Sequence, residues 1–253
     1  MAKIIAVANQ KGGVGKTSTC VNLTYALKKR GRRVLLVDCD AQGNATSGMG
    51  VDKGRVPNMY SILTQGAAAA DCIVKTIYGD VIPTNKDLSG ATVELVDMDD
   101  REYILRNALE PIRDRYDYIF IDCPPSLELL TVNALAAADS VLVPVQCEYY
   151  ALEGIADLTT TIKMINANIN PNLEIQGIVL TMFDSRTNFS EQVAQEIIRY
   201  FGNKVYKTRI PRNIRIAEAP SHGKPVIAYD RISRGSAAYL KLGMELVKQV
   251  EGK

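Results

Sequence analysis

The residues best suited to chemistry in this 253-residue chain stand near its start, in Asn9-Gln10-Lys11-Gly12-Gly13-Val14-Gly15-Lys16-Thr17. Glycine at 12, 13 and 15 permits backbone conformations closed to other residues, so successive N–H groups can turn inward as a nest. A helix starting directly after Gly15 aims the positive end of its dipole at the same spot. The combination is a cradle for a polyphosphate, with Gly12, Gly13, Val14, Gly15, Lys16, Thr17 and Ser18 as its binding residues. Lys16 can reach β- and γ-phosphate oxygens and the Thr17 hydroxyl can ligate Mg²⁺, as the spacing G-x-x-x-x-G-K-[ST] assigns them. Gln10 stands where that pattern has glycine, and a second lysine, Lys11, fronts the loop. The plain alternative is a glycine-rich turn with solvated lysines. Against it, strand, glycine spacing, Lys16-Thr17 and helix occur together in the required order.

Carboxylates at strand ends could complete such a site. Tyr116 to Asp122 is an apolar run ending in an acid, followed by Cys123-Pro124-Pro125-Ser126. A strand that delivers a carboxylate to the sheet edge is what a phosphate-bound metal requires. A second apolar run, Arg33 to Asp38, enters the polar loop Asp38-Cys39-Asp40-Ala41-Gln42-Gly43-Asn44-Ala45-Thr46. Asp38 reads equally well as a site residue or a loop cap. Asp40 lies just past the strand end, in a loop whose Gly43 and Asn44 allow movement.

The elements positioning these groups alternate. Strands are expected at Lys3 to Ala8, Arg33 to Asp38, Asp80 to Pro83, Tyr116 to Asp122, Ser140 to Val145, Ile175 to Phe183 and Val205 to Ile210. Helices are expected at Lys16 to Arg30, ended by Gly31, and at Tyr60 to Leu63, Asp99 to Arg113, Leu152 to Asn166, Ser190 to Phe201 and Gly235 to Val250. Such alternation calls for a mainly parallel sheet covered by helices on both faces, with ligands at the carboxyl ends of the strands. No linker or internal repeat divides residues 1–253, so one domain is expected.

Composition narrows the function classes. At 47% apolar and 23% charged the chain is ordinary globular protein. The formal charge of +2 conceals an asymmetry: residues 1–185 carry 17 Lys/Arg against 22 Asp/Glu, whereas 186–253 carry 13 against 6. The basic end therefore calls for a partner hypothesis. Five cysteines, odd in number and without C-x-x-C, indicate neither a disulfide framework nor a zinc site, and fit a reducing cytosol. No stretch approaches the ~20 apolar residues of a membrane span. His222, the one histidine, has no acidic or cysteine partner at ligand spacing.

K-G-G-V-G-K-T resembles the deviant Walker A loop of the ParA/MinD group of P-loop ATPases. V-D-C-D-A-Q-G-N-A-T, Y-D-Y-I-F-I-D-C-P-P-S, P-V-Q-C-E-Y-Y-A-L-E-G and I-P-R-N-I-R-I-A-E-A-P-S-H-G-K-P follow in the order seen in small chromosomal ParA proteins of the Soj type. Ala41 and Ser18 depart from the family's usual proline and threonine. The resemblance implies a single-domain α/β P-loop NTPase over 1–253, an ATP hydrolase using ATP and Mg²⁺. It makes Lys11 the signature lysine that crosses a homodimer interface to the partner's nucleotide, and so catalytic together with Lys16 and Asp40. Asp40 would orient or activate the attacking water, and Asp122 would hold the metal through water beside Thr17. Met182, Pro211 and Asn213 are weaker candidates for an adenine pocket, which loop packing explains almost as well. Arg186 and Arg215 fall at the family's DNA-binding positions, their plain alternative being solvated loop arginines. The implied partners are double-stranded DNA, bound without sequence preference, and a ParB-type centromere-binding protein that stimulates hydrolysis. The implied location is cytoplasmic and nucleoid-associated. With the loop starting within ten residues of Met1, no base-reading domain is expected before it. A MinD-like membrane regulator of cell division is the alternative, disfavoured because Leu240, Gly243, Met244, Val247 and Val250 follow a core-facing period and the end lacks a basic amphipathic segment. Iron–sulfur relatives are disfavoured because Cys123 precedes Pro-Pro.

Overall fold

Seven strands form one sheet in the order β3-β4-β2-β5-β1-β6-β7. They are β1 Lys3–Val7, β2 Val34–Asp38, β3 Val74–Lys75, β4 Asp80–Ile82, β5 Tyr118–Asp122, β6 Ser140–Gln146 and β7 Glu174–Thr181. The structure, a computed structural model, describes residues 1–148 and 151–252, Glu153 by its backbone alone. Tyr149 and Tyr150 of the P-V-Q-C-E-Y-Y-A-L-E-G stretch, and Lys253, lie outside the described residues.

All pairings are parallel except that of the two-residue edge strand β3 with β4. A parallel sheet must be covered on both faces, and its strands are accordingly apolar throughout. In β1, Ile4 and Ala6 enter one core while Ile5 and Val7 enter the other. The second core lies under helix α1, Lys16–Lys28, and the closing helix Arg234–Glu251. Helices Leu129–Ala137, Ala151–Asn168 and Asn188–Phe201 cover the first. The α/β class and two-sided cover therefore stand as expected.

Several boundaries differ, each for a visible reason. Val205 to Ile210 is not a strand: Tyr206 N–H donates to Ile178 O and Ile210 N–H to Leu180 O, but Lys207 and Thr208 N–H turn away to the Glu245 carboxylate. Two isolated bridges are all that remain of a ladder there. Asp99 to Arg113 is helical only from Ile104, and changes to 3-10 geometry at Glu110, ahead of Pro111. Leu129–Ala137 and the short helix α2, Asn44–Gly48, go beyond the sequence expectation: the first buries Thr131 and Asn133 along with its leucines and alanines and so lacks an amphipathic period, and the second is one turn long.

The closing helix presents most of the expected face, Leu240 and Val250 packing partly buried against the second core, with Met244 as the exception. Tyr239, Leu242, Gly243, Leu246 and Val247 are buried, whereas Met244 is 49% exposed. Gly243 is small because α1 passes close by: a Cβ there would lie 3.1 Å from Leu27 Cδ1 and 3.2 Å from Ala26 Cβ. No helix among the described residues is long and apolar enough to cross a membrane. Gly243→Val should therefore destabilise the protein by about 1–3 kcal/mol through overpacking, while Met244→Ala should stay within about 0.5 kcal/mol. Urea unfolding of both variants checks this; equal losses would mean that the helix is seated in another rotation.

Candidate functional site

The parallel arrangement brings the carboxyl ends of β1, β2, β5 and β6 to one edge, and the candidate groups meet there. Gly13 (φ 74°) and Gly15 (φ 88°) adopt left-handed conformations that carry the loop from β1 into α1, so these two positions need glycine. The loop is braced from three sides. Asn9 donates from Nδ2 to Pro144 O at 2.8 Å and accepts Lys11 N–H on Oδ1 at 2.9 Å. Thr181, at the end of β7, donates its hydroxyl to Val14 O at 2.8 Å. Gln10 Nε2 reaches Thr161 Oγ1 at 2.9 Å.

Lys16 is buried, with its ammonium donating to the carbonyls of Asn9 (3.0 Å) and Lys11 (3.1 Å). Burial lowers its pKa, opposed by the nearby charge of Asp122 and then by Cys123 and Asp40. A cation so placed gains from any anion brought to the loop. Lys11 sits at the front, its Nζ 2.6 Å from Glu148 Oε2, both side chains being partly exposed. A pair this exposed is worth no more than about 1 kcal/mol, so Lys11 can exchange Glu148 for another anion.

Asp38 and Asp122 are register partners at the ends of neighbouring strands, both fully buried. Their surroundings differ. Asp38 accepts Thr46 N–H and Thr46 Oγ1, each at 2.7 Å, and Asp40 N–H at 3.2 Å. Asp122 accepts the weak Cys20 thiol on Oδ1, at 3.5 Å, and the Thr17 hydroxyl is close enough to influence it, but its buried Oδ2 makes no hydrogen bond of ordinary geometry among the described residues. Burial pushes both carboxyls up, and for Asp122 the neighbouring Asp38 charge adds to the rise, with the Thr17 hydroxyl opposing. The better-bonded Asp38 is the member that ionises more readily. Through these bonds Asp38 ties down the 39–46 loop. Asp122, beside Thr17, presents an orphaned oxygen of the kind that a hard cation or its bound water satisfies. Among the described residues no group of three or more His, Cys, Asp or Glu could hold a metal ion. The Thr17 hydroxyl beside the Asp122 oxygen suits Mg²⁺, which takes one or two protein ligands and fills the rest with phosphate and water.

Asp40 is partly exposed above this pair, accepting Gln42 N–H at 3.0 Å on Oδ1. Its loop is anchored at Gly43, where a Cβ would come within 2.9 Å of Thr84 O. On the opposite side of α1's start, an apolar cavity of about 370 Å³ is lined by Met182, Pro211 and Asn213 together with Gly15, Ser18 and Tyr239. Met182 holds a left-handed backbone (φ 48°), a strained conformation for a residue with a side chain. The three residues thus line one cavity, although they lie about 30 positions apart in two segments.

Arg186 and Arg215 are outside the phosphate loop. Arg186 is 84% exposed and grips Asp184 through two hydrogen bonds of 2.8 and 2.7 Å. Arg215 pairs with Glu218 at 2.8 Å and Asp230 at 3.2 Å. His222 stacks on Tyr229 with ring centroids 4.8 Å apart. Not anticipated were the bracing roles of Asn9 and Thr181, the Thr46 partner of Asp38, and Glu148. Their residue types carry no signal; only the folded edge joins them to the loop.

Comparison with known proteins agrees with this geometry. A family model described as AAA domain matches residues 2–175. The chain is 55% identical over 249 residues to the sporulation initiation inhibitor protein Soj of Bacillus subtilis, covering 97% of this chain and 98% of that protein. It is 52% identical over 252 residues to the chromosome partitioning protein ParA of Myxococcus xanthus, covering 98% and 89%. Among solved structures, a Mycobacterium smegmatis protein described as cobyrinic acid a,c-diamide synthase, with bound ADP and magnesium, matches at TM-score 0.87 and 36% identity, over 100% of this chain and 97% of that one. With whole-chain identity above one half and the phosphate loop in place, the chain belongs to the Soj/ParA family of chromosome-partitioning ATPases.

Proposed function

We propose that this chain is a dimerising DNA-partitioning ATPase: it binds DNA without sequence preference in its ATP state and lets go when a ParB-type partner stimulates hydrolysis. The observation carrying this most directly is the continuity of one strand edge, where a braced phosphate loop, an orphaned carboxylate oxygen and an apolar purine-sized cavity adjoin. ATP would lie with its phosphates on Gly12 to Thr17 and Ser18, and its base against Met182, Pro211 and Asn213. Thr17 and, through water, Asp122 would hold Mg²⁺, which neutralises charge on the phosphates. Lys16 holds the phosphate oxygens, and Asp40 orients the attacking water. Lys11, released from Glu148, brings its charge to the nucleotide of a second copy, where it stabilises the transferring phosphoryl.

The same edge supports a link from nucleotide to DNA. Met182 of the base cavity precedes Arg186 by four residues, and Asn213 caps the turn that carries Arg215, accepting its N–H at 2.9 Å. The Asp40 loop and α2 continue to Gly50, whose backbone meets that of Gly223: a Cβ on Gly50 would lie 2.9 Å from Gly223 O. Movement of the hydrolysis loop is therefore felt by the segment bearing Arg215. DNA held by such a surface puts the protein on the nucleoid, in the cytoplasm. The 13 Lys/Arg against 6 Asp/Glu after residue 185 favour the same partner.

Three outcomes test this function. Lys16→Ala should abolish ATP binding, whereas Asp40→Ala should retain binding and lose hydrolysis, because only the latter residue acts on the water in the transition state. Wild-type turnover by Asp40→Ala would remove its catalytic role. In an Asp40→Ala background held in ATP, Lys11→Ala should reduce the dimer fraction measured by light scattering, and Glu148→Gln should preserve or raise it. A dimer fraction indifferent to Lys11 would make it a local loop cation. For DNA, each lost phosphate contact should lower the slope of log K against log salt by about 0.9, so Arg186→Ala or Arg215→Ala should flatten it by up to about twice that per dimer. Weaker binding with an unchanged slope would show these arginines acting through assembly.

A further inference from the structure

At the opposite end of the sheet from the phosphate loop, a cavity of about 450 Å³ opens between the end of α1, the starts of β2 and β4, and the edge strand β3. Five cationic side chains line it: Lys28, Arg32, Arg33, Lys75 and Arg115. They come from four separate segments, so no single helix or turn explains their meeting. Cations at the end of α1 complement its dipole, which accounts for Lys28. Lys75 and Arg115 lie on other segments, and neither side chain has an ion pair or hydrogen bond among the described residues.

The local charge does not cancel. Arg32 is held by Glu251 at 2.5 Å and Arg33 by Asp117 at 2.8 Å, while Asp80, in the cavity wall, accepts the Tyr116 hydroxyl at 2.8 Å. Lys28 donates to a neutral group, Thr76 O, at 2.8 Å. Five cations thus face three carboxylates. Arg115 leans toward the cavity: Tyr116's pKa is driven up by burial and by Asp80, and the Arg115 charge partly offsets the rise. The floor is apolar, with Val34 and Ile73.

We propose that this cavity binds a small phosphorylated anion carrying two or more phosphates, of the nucleoside polyphosphate class, separately from the phosphate loop. A cationic rim supplies charge-assisted hydrogen bonds to phosphate oxygens, and an apolar floor takes a base or sugar face. The volume exceeds what one inorganic phosphate fills. A convex DNA duplex contacts raised basic stripes and enters a concavity poorly, which favours a small ligand. The site lies outside the machinery assigned to ATP and DNA above, and does not depend on it.

The test uses inorganic tripolyphosphate as probe, titrated calorimetrically into the full chain at about 0.15 M salt. Lys16→Ala disables the phosphate loop, and this variant should still bind one tripolyphosphate. Adding Lys75→Ala and Arg115→Ala should weaken that binding by at least about tenfold, the loss of two charge-assisted contacts, with circular dichroism unchanged. Lys75→Ala/Arg115→Ala on its own should keep the binding that Lys16→Ala loses. The proposal is overturned by absence of binding to Lys16→Ala, by binding to it that ignores Lys75 and Arg115, or by a short DNA duplex showing the dependence on these two residues while tripolyphosphate does not.

Discussion

Two carboxylates fixed side by side in a dry place govern this structure. Parallel pairing of β2 with β5 sets Asp38 opposite Asp122, and the two-sided helical cover removes water from both. Like charges so close cannot both ionise cheaply. The unfolded carboxyl titrates near ~3.9, and the folded values are raised. The pair therefore weakens the fold as pH climbs above the unfolded value, until positive charge reaches it. Thr46 and the Asp40 N–H relieve Asp38, leaving Asp122 with its unpartnered oxygen next to Thr17 and the Lys16 end of α1. That is a site whose stability and whose affinity for a metal-bound polyphosphate have the same origin.

The remainder of the edge keeps this arrangement rigid on one side and movable on the other. Asn9 and Thr181 tie the phosphate loop to β6 and β7, so the N–H cradle is built before any ligand arrives. By contrast, Asp40 hangs on a loop held by Gly43 and by the Gly50–Gly223 contact. The three candidate cations Lys11, Arg186 and Arg215 each rest in exposed ion pairs, which cost little to exchange.

Much of this was legible in the sequence because the phosphate loop's chemistry is local. The glycines, Lys16 and Thr17 lie within six residues, and the strands that flank them are apolar runs ending in acids. What escaped depends on distance. The sequence left Asp38 open between cap and site residue, and its Thr46 partner, eight residues on, becomes visible only in the folded loop. Val205 to Ile210 reads as a short strand, but Glu245 from the closing helix takes two of its N–H groups. Met244 fits the core-facing period yet stands at its exposed margin, while Gly243, Val247, Leu240 and Val250 face the core as the period predicts. Helix Leu129–Ala137 is buried on most sides and so lacks the one-sided pattern by which helices are recognised. The cationic cavity draws on four segments between residues 28 and 115, a constellation only folding assembles.

The carboxylate pair can be interrogated without following turnover. Calorimetric titration of Mg²⁺·ADP at pH 7, repeated in buffers of different ionisation enthalpy, counts the protons released on binding. If the site works as described, the wild-type protein releases about one proton per nucleotide, as the metal replaces the proton on the Asp38–Asp122 pair, and Asp122→Asn releases none. No release from the wild type, or equal release from both proteins, would contradict the account.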